Sequence, residues 1–241
     1  MELVDTVQGT LYGIGVGPGA PDLLTLRAIE AMRQCDVILG ATRTGNDYSR
    51  ALEIARPHLP AQHTEVALDF PMTRDRAKLE AAWSRAADKT LTILRQGKNA
   101  AFLTLGDPLT YSTFGYLLAA LRKRQADCKI TVIPGITAYQ AASARLLLPL
   151  CAGEEHLHIL SGIASKENLT AQLKGPDTAV VLKAYRNFPD IREALQKTGR
   201  DKDVWQVSHV EQEEERILKG LGSEDKPPYM TLLISPKSRQ Q

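Results

Sequence analysis

Short apolar runs separated by longer amphipathic stretches make up the first half of the chain. Four of these runs are strand-like in length and content, at residues 10–16, 37–39, 65–68 and 100–105. Continuous apolar runs of this kind are typical of parallel strands, because helices cover both faces of a parallel sheet. The alternation of these runs with helical segments therefore predicts an α/β domain with crossover helices.

The clearest helical pattern covers residues 75–96, where apolar residues recur every three or four positions. Trp83 lies on the apolar face of this helix, and the simplest interpretation places it in the core. Gly97 follows the last apolar position, as is usual for a residue that ends a helix. A second helix is predicted at residues 114–124.

The second half of the chain shows the same alternation. Strand-like runs occur at residues 130–133, 156–160, 178–182, 204–207 and 229–234, with a helix at residues 137–146. The polar stretch at residues 123–129 has charge and no apolar anchor, which favours a linker. We therefore predict two domains, residues 1–123 with a mainly parallel sheet and residues 124–241 with a mixed sheet that includes antiparallel pairs near its end.

Composition narrows the class of protein further. The 241 residues are 43% hydrophobic and have a formal charge of +2 from 30 basic and 28 acidic side chains, so nucleic acid is not an expected partner. Cys35, Cys128 and Cys151 are odd in number and widely spaced, which favours neither a disulfide framework nor a thiolate zinc site. We expect a cytoplasmic protein, because no basic, apolar leader and no membrane-spanning run is evident.

A glycine-rich segment at residues 13–20 follows the first strand. From Gly15 it formally fits the dinucleotide pattern G-x-G-x-x-G/A. However, the second strand ends without an acid for a ribose, and Pro18 and Pro21 remove amide donors that a pyrophosphate would need. A loop whose small residues let another molecule approach the backbone is favoured, with a dinucleotide site or a purely structural turn as alternatives.

The most informative loop follows the fourth strand, at residues 105–113. Gly106-Asp107-Pro108 stops the apolar run abruptly, at the end of the strand where α/β folds bind ligands. Four hydroxyl residues follow, and Ser112 or Thr113 is positioned to cap the next helix. A polar pocket wall is the favoured interpretation, and the alternative is that Asp107 merely caps the turn.

A third loop at residues 133–138 repeats the change from strand through turn to helix, with Thr137 as a candidate N-cap. On its own it is equally well interpreted as a tight connection. The loops at residues 105–113 and 133–138 belong to different predicted domains. We therefore expect them to face each other across a cleft that holds the active site.

Other polar clusters have weaker implications. His156 and His158 share one face of a predicted strand, but no further His or Cys lies near them, so a protein metal site is not predicted. Two basic residues and a tyrosine directly after a strand favour an anion-facing rim, with a solvated surface as the alternative. This group is Lys183, Tyr185 and Arg186. Four glutamates are interpreted as a solvated face, with Glu211 or Glu213 also able to pair with a basic side chain; they are Glu211, Glu213, Glu214 and Glu215.

Taken together, three motifs resemble the tetrapyrrole methylase family in order and spacing. They are Gly15-Val-Gly-Pro-Gly19, Leu105-Gly-Asp-Pro108 and Pro134-Gly-Ile-Thr-Ala138. The resemblance covers nearly the whole chain and implies two α/β domains, usually a homodimer, with S-adenosylmethionine bound between the domains. Segments 70–73, 106–113 and 182–187 look most like the branch that methylates C20 of precorrin-2 or cobalt-factor II in cobalamin biosynthesis.

The resemblance also implies roles for individual residues. The methyl donor is expected to contact Pro18, Leu105, Gly106, Asp107, Thr110, Ser112, Thr137, Ala138, Lys183 and Val210. Asp107 or Tyr111 is expected to orient the donor or to help remove the proton of the methylated carbon. The carboxylates of the acidic tetrapyrrole are expected to bind Arg43, Arg74, Lys183 and Arg186.

Any cobalt would come with the substrate, and no protein-bound metal is expected. Alternatives are a family member that acts at another ring position, on ribosomal RNA or on diphthamide, a nucleotide-dependent oxidoreductase, and a non-catalytic binding protein.

Overall fold

The chain forms two compact α/β units, Met1–Thr137 and Ala138–Gln241. The computed structural model describes residues 9–42, 49–161, 165–175 and 177–236. The division lies later in the chain than the predicted boundary between residues 123 and 124, because the strand Ile130–Ile133 pairs with Leu11–Gly15 in the first unit. The polar stretch at residues 123–129 is therefore a connection inside the first unit and not a linker.

Within the described residues, the sheet of the first unit has five strands, and all of their pairings are parallel. The strands, in the spatial order β3-β2-β4-β1-β5, are β1 (Leu11–Gly15), β2 (Val37–Thr42), β3 (Thr64–Asp69), β4 (Ala100–Thr104) and β5 (Ile130–Ile133). The helices are α1 (Leu26–Arg33), α2 (Arg50–Ala55), α3 (Arg76–Arg95) and α4 (Phe114–Arg124), with short 3-10 turns at Pro21–Leu23 and Arg56–His58. The predicted parallel sheet is confirmed.

Two hydrophobic clusters cover the two faces of this sheet. Successive residues of β4 point to opposite faces, so that Phe102 packs with Phe114 and α3 while Leu103 packs with α1 and α2. Trp83 is half-buried at the margin of the first cluster, where its ring stacks on that of Tyr116 with centroids 4.4 Å apart. The predicted core position of Trp83 is therefore correct only in part.

Helix α3 starts and stops where the sequence predicts. The Asp75 side chain accepts a hydrogen bond from the Lys78 amide at 3.2 Å, which caps the N-terminus. Gly97 ends the helix with a φ of +77°. Neither this helix of 20 residues nor any other in the described ranges has the length and apolar character needed to cross a membrane.

The second unit contains a mixed sheet, as predicted. Its described strands, in the spatial order β6-β7-β10-β8-β9, are β6 (Leu157–Ser161), β7 (Thr178–Leu182), β8 (Trp205–Ser208), β9 (Arg216–Lys219) and β10 (Thr231–Ser235). β6 and β7 are parallel, whereas β10 runs antiparallel to β7 and β8, and β9 runs antiparallel to β8. The helices are α5 (Ala138–Arg145), α6 (Lys166–Leu173) and α7 (Phe188–Lys197), and α6 and α7 supply much of the hydrophobic core.

Candidate functional site

The ends of β1, β4 and β5 converge at three glycines, which we call the glycine junction: Gly15, Gly106 and Gly135. A Cβ atom added to Gly135 would lie 2.2 Å from the carbonyl oxygen of Gly106, and one added to Gly15 would lie 2.4 Å from the same oxygen. Only glycine permits backbones to approach so closely. The predicted close approach at Gly15 is thus made by the chain's own backbone, because two neighbouring loops pack directly against it.

A hydrogen bond and two left-handed glycines complete the junction. The Gly106 amide donates to the carbonyl oxygen of Gly17 at 2.8 Å. Gly17 and Gly106 have φ values of +81° and +64°, a conformation that side chains disfavour. The loops after β1 and β4 are therefore fixed to each other through their main chains.

Asp107 connects the loop after β4 to the loop after β5. Its Oδ1 atom accepts hydrogen bonds from the Leu109 amide at 2.9 Å and the Thr110 hydroxyl at 3.1 Å. Its Oδ2 atom accepts from the Gly135 amide at 3.3 Å. The carboxylate caps the turn, as the simpler interpretation held, and it also ties two strand-end loops together. A direct chemical role for Asp107 stays a prediction.

The hydroxyls of this loop serve different purposes. Ser112 Oγ accepts a hydrogen bond from the Phe114 amide at 3.0 Å and lies 2.9 Å from Thr104 Oγ1. Thr113 occupies the N-cap position of α4, but its side chain makes no capping bond. Ser112, one residue earlier, caps the first amide of the helix instead. The Thr110 hydroxyl donates a hydrogen bond to Asp107. The side chains of Thr110 and Ser112 therefore order the loop before any ligand arrives.

Tyr111 differs from its neighbours. Its side chain is on the outside of the loop, with 52% of the residue exposed, and its backbone is left-handed with a φ of 51°. Non-glycine residues in this conformation are uncommon and concentrate at functional sites. Tyr111 is therefore a strained and exposed hydroxyl residue of this loop, and its chemical role stays a prediction.

The remaining predicted residues of the first unit divide into two groups. Pro18 and Thr137 are buried, and a Cβ added to Gly106 would lie 3.8 Å from Thr137 Cα, in ordinary contact. Pro18 directly follows Gly17, so the residues predicted to contact the donor converge on the junction in this unit. Arg74 is exposed before α3, and Arg43 lies outside the described residues.

In the second unit, the predicted basic rim is structured by its own contacts. Lys183 follows β7 with a φ of 56°. The residue is exposed, yet burial of its ammonium group and the nearby charge of Arg186 lower the pKa of Lys183. Arg186 Nε donates to the Tyr185 hydroxyl at 2.8 Å, and the Tyr185 ring packs on Tyr229 with centroids 4.7 Å apart. An anion bound here would offset the repulsion between the two cations.

Val210 lies in the loop after β8. It is 4% exposed and stands between two left-handed residues, His209 with a φ of 51° and Glu211 with a φ of 60°. Ala138, the first residue of α5, is half-buried. Val210 and Ala138, which are also predicted to contact the donor, are thus at least partly buried.

The glutamate cluster was only partly predicted. Glu213 and Glu214 are exposed, as a solvated face requires. Glu215 is not, because its carboxylate pairs with Arg145 at 2.8 Å. Glu211 Oε1 lies 3.9 Å from Arg145 Nε, which confirms that Glu211 pairs with a basic side chain. The pair of Glu215 with Arg145 was not predicted, since nothing local in the chain connects residues so far apart.

The two histidines of the predicted pair lie at the start of β6. His156 precedes β6 and its Nδ1 atom lies 3.5 Å from a carboxylate oxygen of Asp177. In the parts of the chain that the structure describes, no three His, Cys, Asp or Glu side chains cluster in a way that would hold a metal ion.

Comparison with known proteins gives one family and several relatives. The family model for tetrapyrrole (corrin/porphyrin) methylases matches residues 10–224. Cobalt-precorrin-2 C(20)-methyltransferase of Salmonella typhimurium is 31% identical and covers 96% of this chain and 98% of its own length. Precorrin-2 C(20)-methyltransferase of a Sinorhizobium species is 32% identical, with 95% of both chains covered.

One similar protein is much longer. The cobalamin biosynthesis protein CobIJ of Mycobacterium tuberculosis is 33% identical over 98% of this chain, but this chain spans only 47% of that protein.

Solved structures show the same fold. A cobalt precorrin-4 methyltransferase, CbiF, superposes with a TM-score of 0.73 at 19% identity, with 94% of both chains covered. A uroporphyrin-III C-methyltransferase of Thermus thermophilus, complexed with S-adenosyl homocysteine, gives a TM-score of 0.67 at 23% identity and covers 95% of this chain and 92% of its own.

Proposed function

The chain belongs to the tetrapyrrole (corrin/porphyrin) methylase family, and from this premise we propose that it methylates C20 of precorrin-2 or cobalt-factor II in cobalamin biosynthesis, with S-adenosylmethionine as the donor. One observation carries the proposal. Two relatives named as C20-methyltransferases match almost from end to end in both directions. A match of that extent includes both α/β units, so it concerns the whole enzyme and not one shared domain.

The predicted contact residues of the first unit are chemically suited to S-adenosylmethionine. The residues predicted to contact the donor in this unit offer peptide groups, hydroxyls and apolar surface, and none of them has a basic side chain. Pro18 has no amide hydrogen. Such a surface suits a nucleoside with ribose hydroxyls better than a polyphosphate, which seeks several amide or cationic donors. The Thermus thermophilus protein of the same fold is complexed with the demethylated product of this donor.

When bound, S-adenosylmethionine supplies an electrophilic methyl group on sulfur. The residues proposed to hold it are Pro18, Leu105, Gly106, Asp107, Thr110, Ser112 and Thr137 in the first unit, with Ala138, Lys183 and Val210 in the second unit. Because methyl transfer needs the donor and acceptor atoms in line, the task of these residues is mainly to bind and orient. Asp107 contributes by holding two loops in register through its three hydrogen bonds.

Tyr111 is the proposed catalytic residue with the clearest access to a ligand. Its hydroxyl is on an exposed, left-handed residue of the loop that carries the other donor contacts. It is suited to orient the donor or to take part in removing the proton of the methylated carbon. Asp107 is the alternative residue to accept that proton, although its carboxylate already accepts three hydrogen bonds.

Recognition of the substrate rests on cations. Arg74, Lys183 and Arg186 are proposed to bind carboxylates of the acidic macrocycle. The lowered pKa of Lys183, caused by burial and by Arg186, supports this role, because a nearby carboxylate would stabilise the charged ammonium. We further propose a cytoplasmic homodimer.

The test is incubation of the protein with S-adenosylmethionine and either metal-free precorrin-2 or cobalt-factor II. We expect one methyl group to be added to one or both substrates, with a ¹³C-labelled methyl located at C20 by NMR. A methyl at another ring carbon would assign a different member of the family. Tight binding of the donor without turnover would indicate a binding protein, and binding of NAD in its place would revive the oxidoreductase.

A further inference from the structure

An ion pair joins the end of α5 to the loop of residues 209–215, which follows β8. Arg145 is the last residue of α5, and its Nε and Nη2 atoms donate to Glu215 Oε1 at 3.0 and 2.8 Å. The Glu215 side chain is only 14% exposed, whereas that of Arg145 is 53% exposed. The exposed Arg145 at the end of α5 thus holds the largely buried carboxylate of Glu215 in place.

The second oxygen of Glu215 acts on the loop itself. Glu215 Oε2 accepts a hydrogen bond from the Glu211 amide at 2.8 Å. Burial raises the pKa of Glu215, but the hydrogen bonds from Arg145 and the Glu211 amide, together with the charge of Arg145, outweigh this effect and leave the pKa below its usual range. The carboxylate is therefore ionised at neutral pH and engages both partners.

The loop needs such support because its backbone is strained. His209 and Glu211 are both left-handed, with φ values of 51° and 60°, although neither is glycine. Backbone in this region persists only where surrounding contacts impose it. Val210, between them, is 4% exposed. The contacts of Glu215 hold the neighbouring Glu211 peptide, together with the main-chain bonds of His209 and Gln212 and the 3.9 Å pair of Glu211 with Arg145.

The 209–215 loop lies at the end of the sheet where β7 and β8 both finish. β7 and β8 both run antiparallel to β10, so their carboxyl ends lie at the same edge. The loops that follow them are attached to the start of β10, since Ala184 donates to the Thr231 carbonyl at 3.1 Å and His209 donates to the Met230 carbonyl at 3.0 Å.

Strain is concentrated at this edge. Among the residues that the structure describes, three non-glycine residues here are left-handed, namely Lys183, His209 and Glu211. Backbone strain of this kind clusters at sites that bind or process ligands.

We propose that Glu215 is a positioning residue for binding of the methyl donor, and that with Arg145 it holds the 209–215 loop in its binding conformation before the donor arrives. The inference rests on the proposed function and adds to it a residue that contacts neither donor nor substrate. A loop that is already ordered loses less conformational entropy on binding, so its affinity for the ligand is higher. The effect is expected in donor affinity and not in the chemical step.

The experiment compares Glu215→Gln with a matched control, Glu193→Gln. Glu193 also lies in the second unit and also pairs with cations, Lys166 and Lys197, each at 2.8 Å, but it belongs to α7 and not to the loop. Titration calorimetry with S-adenosyl homocysteine should show a Kd about tenfold higher for Glu215→Gln, the loss expected for a weakened hydrogen bond to a charged group. Glu193→Gln should bind as the wild type does.

Steady-state kinetics separate positioning from general damage. For Glu215→Gln we expect the KM for the donor to rise by about the same factor as the Kd, while kcat at saturating donor stays within about twofold of the wild type. Arg145→Met should act in the same direction with a smaller effect, because the bond from Glu215 to the Glu211 amide remains. Arg145→Lys should restore part of the affinity.

The outcomes distinguish this inference from the proposed function. Equal donor affinity in Glu215→Gln and Glu193→Gln overturns the positioning role and leaves the methyltransferase proposal intact. A loss confined to kcat also overturns it. A wild-type protein that binds no donor overturns the proposed function, and this inference with it. If Glu215→Gln does not fold, the comparison of Arg145→Met with Arg145→Lys decides in the same way.

Discussion

Replacing Gly135 by alanine tests whether the three strand-end loops of the first unit depend on direct backbone contact. The added Cβ would lie 2.2 Å from the Gly106 carbonyl oxygen and 2.8 Å from two backbone atoms of Gly15. Ordinary van der Waals contact begins at about 3.4 Å, so the loops must move apart by about an ångström. Neither neighbour is a flexible side chain that can turn away.

The cost follows from that geometry. Overpacking in a well-packed region typically costs about 1–3 kcal/mol, and a clash with two backbones belongs at the upper end, at about 3 kcal/mol. In a chain of this size each kcal/mol lowers the Tm by about 2–4 °C, so Gly135→Ala should melt about 6–12 °C below the wild type. Because Asp107 accepts from the Gly135 amide at 3.3 Å, the displacement should also weaken this bond and lower donor affinity at least about tenfold.

Gly115→Ala is the matched control. Gly115 is the second residue of α4, and a Cβ added there would meet nothing within 4 Å. Alanine in a helix is more stable than glycine by about 0.5–1 kcal/mol, so this variant should melt at or slightly above the wild-type temperature. Thermal unfolding and calorimetric titration of the donor complete the comparison. A Gly135→Ala protein that matches Gly115→Ala in both Tm and donor affinity would refute the described packing of the loops.

Three further predictions concern single side chains. Asp107→Asn leaves one oxygen for three donors, so urea unfolding should show a loss of about 1–2 kcal/mol, and unchanged stability would show that the tie between the loops is unimportant. Tyr111→Phe should lower the rate of methyl transfer more than about tenfold, with a Tm close to that of the wild type; equal losses in both would make Tyr111 part of the scaffold. The folded-state pKa of Glu215 is lowered, so its contribution to stability is present above the unfolded pKa of about 4.3 and is lost as the pH falls through the folded value. Urea titrations between pH 3 and about pH 6 should therefore show a shallower acid-side decline for Glu215→Gln than for the wild type, and parallel curves would contradict this.

Local patterns were sufficient to predict much of the first unit. The run at residues 100–105 and the glycine after it predicted β4 and its loop, because a buried strand and a left-handed turn each need particular residue types. Asp75 and Gly97 likewise predicted the two ends of α3. The α/β class and the mixed second sheet are confirmed for the same reason.

Features that depend on distant pairing were not predictable in this way. β5 joins the first sheet because it pairs with β1, more than a hundred residues earlier, and the polar residues before β5 resemble a linker regardless of that pairing. β9 is a short edge strand of four residues with charged ends, Arg216 and Lys219, so it is too short to show a strand pattern in the sequence.

The candidate site shows the same division. Ser112 as a cap and Asp107 in its turn could be predicted, because both side chains bond within a few residues of themselves. The bond from Asp107 to Gly135 and the pair of Arg145 with Glu215 join residues far apart in the chain. Their partners were not identifiable without the fold.

The stacking of Trp83 on Tyr116 has a spectroscopic consequence. The chain has two tryptophans, and they fall one in each unit. Trp83 stacks on a tyrosine ring, whereas the other, Trp205 in β8, has the Lys219 ammonium 5.9 Å from its ring centroid. Replacing either one by phenylalanine leaves a single tryptophan, so the tryptophan emission of each variant reports the unfolding of one unit.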